Sequence, residues 1–317
     1  MARPKCRFPL NVNSGRITLS RYAGLHRLAR LLSINAEYRA ATGNMDEAVR
    51  SIRLGYKLSE SLKDEPSLSA YQSRLALINI ASKSLQRSLD YGDVSESQAR
   101  RLYDLIADID LYPGFEKAIT GDRAVAIYRF EYIKVHGSSI LNDVIQSCRG
   151  LTRLEWELPG TYIGRPYLYA LELKMFSIMD REIVRSTVPY RKLDHPSPKL
   201  ESTRPSVWAV VSSENVICDR VRWLCEMTKT KQAGSQIMLA LAAYKDRFGA
   251  YPETLAELKS KLGWKLPGDP FSGKDFLYKR QGNGYLLYSV GENLKDDSGP
   301  EKRTEVGKAD IIWRMER

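Results

Sequence analysis

The sequence predicts a mostly α-helical protein: an N-terminal helical-hairpin array or bundle, followed by a C-terminal α+β domain made of a long helix plus a small antiparallel sheet. Three observations predict it. Apolar residues recur at three- and four-residue steps from Tyr22 to about Leu111, the spacing of one face of a helix. Pro189, Pro196, Pro198 and Pro205 then punctuate a polar stretch, the composition of a linker. Beyond it, a long helical pattern gives way to two short apolar runs flanking Gln281-Gly282-Asn283-Gly284, a hairpin signal. The expected divisions are a basic tail over 1–20, helical hairpins over 21–187, a Pro-rich linker over 188–212 and the α+β domain over 213–317.

Taken in order, Leu25, Leu28, Ala29, Leu32 and Ala36 mark the apolar stripe of a first helix, ended by Gly43-Asn44. Asp46 is the expected N-cap of a second helix carrying Ala48, Val49, Ile52 and Tyr56. Pro66 opens a third, with Leu68, Tyr71, Leu75, Ile78 and Ser82 on one face. Ser95, followed three residues later by Gln98, fits a capping box for a fourth, whose inner side is Leu102, Leu105, Ile106 and Ile109. The stretch Ala29–Leu62 resembles one tetratricopeptide-like hairpin, although no clean period of about 34 residues repeats after it. The run Tyr128, Phe130, Tyr132, Ile133 is readable as strand or helix. A helix is expected from Pro166 to about Arg185, then the long one from about Ser213 to Phe248, stopped by Gly249 and Tyr251-Pro252. Thr254–Leu262 reads as a short helix. Phe276–Lys279, Tyr285–Ser289 and Ile311–Trp313 read as strands.

Composition bounds what such a chain does. With 43% hydrophobic and 27% charged residues over 317 positions it is globular, not disordered. The longest apolar run, Ile237–Tyr244, is far short of the roughly 18–20 residues of a membrane span, so the chain as written is expected to be soluble. The net charge of +11 is uneven. Arg3, Lys5, Arg7, Arg16 and Arg21 precede the first carboxylate, Glu37, and such a basic head favours an anionic partner, nucleic acid or a membrane surface. Cys6, Cys148, Cys218 and Cys225 have neither zinc-ligand nor disulfide-framework spacing; they read as buried thiols.

One constellation in the tail is specific. Ala242-Ala243-Tyr244 leads to Gly249-Ala250-Tyr251-Pro252, then Leu255 and Leu258. Leu266-Pro267-Gly268-Asp269-Pro270-Phe271 follows, then Tyr278, Leu287-Tyr288-Ser289-Val290-Gly291, and Ala309-Asp310-Ile311 with Trp313. In this order the blocks resemble the globular domain of the major pseudopilin of type II secretion systems, over about Ser235–Trp313. A helical array ahead of such a tail resembles the organisation of uncharacterised bacterial envelope proteins. The resemblance implies a long helix capped by a small sheet, and a place in the cell envelope. It also implies a calcium site using the Val290 carbonyl, the Asn293 side chain and the Asp310 carboxylate, a hard-oxygen set of the right chemistry. That family begins with an apolar membrane helix through which subunits stack. Here the corresponding helix carries Arg220, Arg222, Glu226, Lys229 and Lys231, so that mode of assembly is not expected.

No phosphate-binding loop, His-Glu-x-x-His or Gly-x-Ser-x-Gly occurs, and no small-molecule substrate is implied. The expectation is a non-catalytic interaction or scaffold protein with a protein partner or self-association, with the basic head as the alternative binding element.

Overall fold

The computed structural model describes residues 20–136, 165–186, 188, 190–193, 207–297 and 310–316. They form helices α1 (Ser20–Ala41), α2 (Met45–Glu60), α3 (Leu68–Tyr91), α4 (Glu96–Ala107), α5 (Tyr112–His136), α6 (Arg165–Ser186), α7 (Val207–Phe248) and α8 (Leu255–Leu262). Strands β1 (Leu277–Gln281), β2 (Gly284–Ser289) and β3 (Ile311–Met315) make one antiparallel sheet in the order β1-β2-β3. The molecule is therefore mostly helical with a small sheet near its C-terminus, the predicted class. Tyr128–Ile133 is helical, inside α5, and the 137–164 stretch lies outside the described residues.

The chain divides into two compact units that cut across the expected boundaries. The helices of 20–63 and 72–111 belong with Leu224–Arg317, not with the remaining helices as one hairpin domain over 21–187. The reason lies in the packing: α3 is apolar on more than one side, burying Leu75, Leu77, Ile78, Ala81 and Leu85, too wide a face for a single hairpin partner. The expected linker is also shorter than its prolines suggest, since α7 has begun by Val207.

In the unit containing the tail, α1 and α2 form an antiparallel hairpin held in part by Asn35 Nδ2 donating to Ser51 Oγ at 2.7 Å. Small residues line both contacts of α2: Ala29, Ala36 and Ala40 are buried on α1, and Gly55 of α2 sits against Ala81 of α3. The α2 N-cap is Asn44, whose side chain accepts the Glu47 N–H, in place of the expected Asp46. The amide oxygen of Asn44 already reaches that donor, and Asp46 falls inside the first turn, where a carboxylate suits the positive end of the helix. The Ser95/Gln98 capping box is complete in both directions. Asn79 of α3 donates to Thr228 of α7 at 2.9 Å. Tyr103 of α4 meets Trp264, ring centroids 5.0 Å apart, and its hydroxyl donates to the Lys265 carbonyl.

The sheet packs on the same stretch of α7. Gln281 pairs with Gly284 across a two-residue turn whose first residue, Gly282, has φ +57°, where a tight hairpin demands glycine. Trp313 lies directly on Gly234: a Cβ there would stand 2.2 Å from the indole Cζ2. The other side of the indole meets Phe276 edge-on at 5.8 Å.

In the other unit α5 packs along α6. Phe130 meets Phe176 edge-on at 6.1 Å, and Lys134 pairs with Glu172 at 2.7 Å. Leu168, Leu171, Met175 and Met179 are buried as expected of the inner face of α6, whereas Leu173 is exposed.

Candidate functional site

The motif blocks of the tail meet at one buried carboxylate. Asp269, only 2% exposed, accepts from Phe271 N–H (3.2 Å) and Ser289 Oγ (2.8 Å) on one oxygen. On the other it accepts from Ser272 Oγ at 2.8 Å. Ser289 Oγ in turn accepts the Gly291 N–H at 3.1 Å. The Asp-Pro-Phe turn and the end of the Tyr-Ser-x-Gly strand, about twenty residues apart, are thus tied by a charge-assisted network. Their spacing in the sequence records a structural knot.

A second cluster forms at the start of α8. Glu257 accepts from Tyr244 Oη at 2.7 Å, Lys261 Nζ at 2.9 Å and the Glu253 N–H at 2.8 Å, while its own N–H donates to the Thr254 cap at 3.1 Å. These donors, Lys261 foremost, pull its carboxyl from the ordinary 4.5 down to about 2. Because the folded-state value lies below the unfolded one, this contribution to stability is whole above about pH 4.5 and lost as pH falls from there toward 2. Glu257→Gln is therefore expected to flatten the decline of thermal midpoint across that window. An unchanged slope in a pH series of melts would contradict the assignment.

Two grooves stand out among the described residues. A polar one of about 580 Å³ lies where the α1–α2 and α3–α4 turns meet the end of α7, and includes Thr42, Asn44, Asp46, Asp93, Ser95 and Asp246. Its carboxylates hold the turns: Asp46 accepts from Gln98, Asp93 from Lys245 Nζ at 3.2 Å, and Asp246 from the Glu96 N–H at 2.9 Å. The other, about 650 Å³, runs along α5 beside Pro66, Pro113, Thr120, Gly121 and Ala124. Both offer hydrogen bonds or apolar contact to a docked chain.

The buried charges of α7 are also structural. Arg222 Nη2 lies 2.6 Å from Glu182 Oε2, and Glu182 Oε1 accepts from Arg185 at 2.9 Å. Arg222 Nη1 donates to the Arg185 carbonyl at 2.8 Å, and its guanidinium covers the Phe115 ring. Burial pushes the neighbouring Asp219 carboxyl up, with the Glu182 charge adding to it. Arg74, 1% exposed, is met by Glu60 at 2.7 Å. The Glu182–Arg185 pair has ordinary helical spacing, but Glu182 and Arg222 lie 40 residues apart in sequence, beyond any local pattern.

Of the residues proposed for calcium, Asn293 is engaged in its own turn: its Oδ1 accepts the Lys295 N–H at 3.0 Å and its Nδ2 donates to Asp297 at 2.9 Å. Val290 is half-buried and Asp310 is buried. Among the described residues no three His, Cys, Asp or Glu side chains are grouped to hold a metal ion. The proposed set also uses a backbone carbonyl and an amide oxygen, and 298–309 of its loop lies outside the described residues. Arg3, Lys5, Arg7 and Arg16 also lie outside them; Arg21 sits in the first turn of α1. Cys218 and Cys225 are buried in α7. No described helix is long and apolar enough to cross a membrane.

The class defined so far is architectural: helical hairpins sharing a core with a small α+β tail. Comparison with protein-family models, curated proteins and solved structures gives no match to any of them.

Proposed function

We propose that this chain is a non-catalytic interaction or scaffold protein, related to bacterial envelope and type II secretion pseudopilins. The observation that carries the reading is the shared core of α1–α4, the second half of α7 and the sheet. A body built that way holds its outer helix faces and grooves rigidly, which lowers the ordering cost of binding. Supporting it, the buried carboxylates Asp269 and Glu182 are each held by structural partners. The kinship with pseudopilins is supported by the order of the tail motifs and by the knot that joins two of them at Asp269. Light scattering of the purified protein, together with crosslinking to a partner in its own cell extract, tests the reading. A stable complex or oligomer is the expected result; a monomer that captures nothing argues against it.

A second reading is favoured by the exposed arginines of α1 and α2: a basic module that engages a polyanionic surface, with Arg3, Lys5, Arg7, Arg16 and Arg21 adding to the same charge. Its mark is affinity that falls steeply with salt.

A further inference from the structure

The α1–α2 hairpin shows the solvent an unusual face. Leu31, Ile34 and Tyr38 of α1 are 63%, 64% and 61% exposed, with Leu28 beside them and Leu54 on α2. At 100° per residue, 31, 34 and 38 fall within one 60° sector, opposite the sector that buries Ala29, Ala36 and Ala40. Leu31, Ile34 and Tyr38 thus point out while Ala29, Ala36 and Ala40 point in, so this sector of α1 is apolar without serving the core. A contiguous exposed patch of this kind marks a binding surface.

Its charge names the partner's chemistry. Among the described side chains of α1 the exposed charged ones are Arg27, Arg30 and Arg39, and its one carboxylate, Glu37, is half-buried. Along α2 the exposed charges are Arg50, Arg53 and Lys57, with Asp46 at the N-terminal end. The nineteen residues ahead of α1 add Arg3, Lys5, Arg7 and Arg16 without a single Asp or Glu. At the same 100° per residue Arg27 lies within the apolar sector, while Arg30 and Arg39 flank it on opposite sides; an interfacial helix lays such a face into an anionic lipid surface, aliphatic groups entering the acyl boundary and guanidinium groups meeting headgroup phosphates. A second copy of the chain fits poorly, because two such faces would set arginine against arginine. Nucleic acid would use the arginines and leave Leu31 and Ile34 in water.

We infer that the outer face of the α1–α2 hairpin docks on an anionic membrane surface, with Leu31, Ile34 and Tyr38 as the inserted residues and Arg27, Arg30 and Arg39 as the headgroup contacts. The inference rests on the reading of the chain as a binding module and names one of its partners.

Co-sedimentation of the full chain with phosphatidylcholine vesicles, with and without phosphatidylserine at about a third of the lipid, tests it in 0.1 M salt. Binding should be at least about tenfold tighter to the anionic vesicles, and Leu31→Ser/Ile34→Ser should weaken it about tenfold. Arg27→Glu/Arg30→Glu should remove the preference for anionic lipid. All four positions are solvent-exposed, so melting midpoints should match the unsubstituted protein. Three outcomes would overturn the inference: no binding to anionic vesicles, binding indifferent to Leu31→Ser/Ile34→Ser, or a duplex DNA affinity that exceeds lipid affinity and ignores those changes. A fourth is a dimer that the same serine substitutions dissolve. A stable protein complex without vesicle binding would leave the module reading standing and sink only this one.

Discussion

Asp269→Ala is expected to destabilise the tail-bearing unit by about 4 kcal/mol, with a matching drop in urea midpoint and little change in slope. The carboxylate is 2% exposed and receives the Phe271 N–H, the Ser272 hydroxyl and the Ser289 hydroxyl. Removing it strands several buried donors at once, each at roughly 1–3 kcal/mol before relaxation. Asp269→Asn keeps one acceptor oxygen and should cost about half as much. Should alanine prove as mild as asparagine, water would be reaching these donors, and the knot would not be what joins the turn to β2.

The second large effect belongs to the other unit. Glu182 is fully buried between Arg185 and Arg222. Glu182→Ala leaves the Arg222 guanidinium buried without its counter-charge, which costs about 3–5 kcal/mol. The double variant Glu182→Met/Arg222→Met removes both charges and should recover most of that loss, because a buried pair and a well-packed apolar pair are close in energy. Chemical unfolding of the three proteins separates a desolvated pair from a merely polar contact. If the double variant is worse than the single, the ion pair stabilises on its own account.

Local structure was written plainly in the chain. The Ser95/Gln98 box, the Gly282-Asn283 turn and the stop at Gly249 depend on neighbours within a few residues, so propensity and capping chemistry are enough to find them. The seat of Trp313 on Gly234 and the bond from Asn79 to Thr228 depend on contacts across 79 and 149 residues, which no short pattern encodes. For the same reason the two compact units do not follow the prolines: prolines announce a break in local structure, whereas a unit is defined by which faces find each other. The α1 stripe was half legible. Ala29 and Ala36 are buried as expected, but Leu28 is exposed, as are Leu31 and Ile34, because periodicity marks a face as apolar without saying whether the core receives it.

The proposed scaffold depends on the hairpins and the sheet behaving as one cooperative body. Native-state hydrogen exchange of the full chain measures that directly. Amides of α3 around Leu75–Leu85, of α7 around Ile237–Leu241 and of β2 should share one slowest opening free energy and lose protection together in Asp269→Ala. If α1–α4 keep their protection while the sheet of that variant opens, the two parts are independent domains, and the shared-core account is wrong.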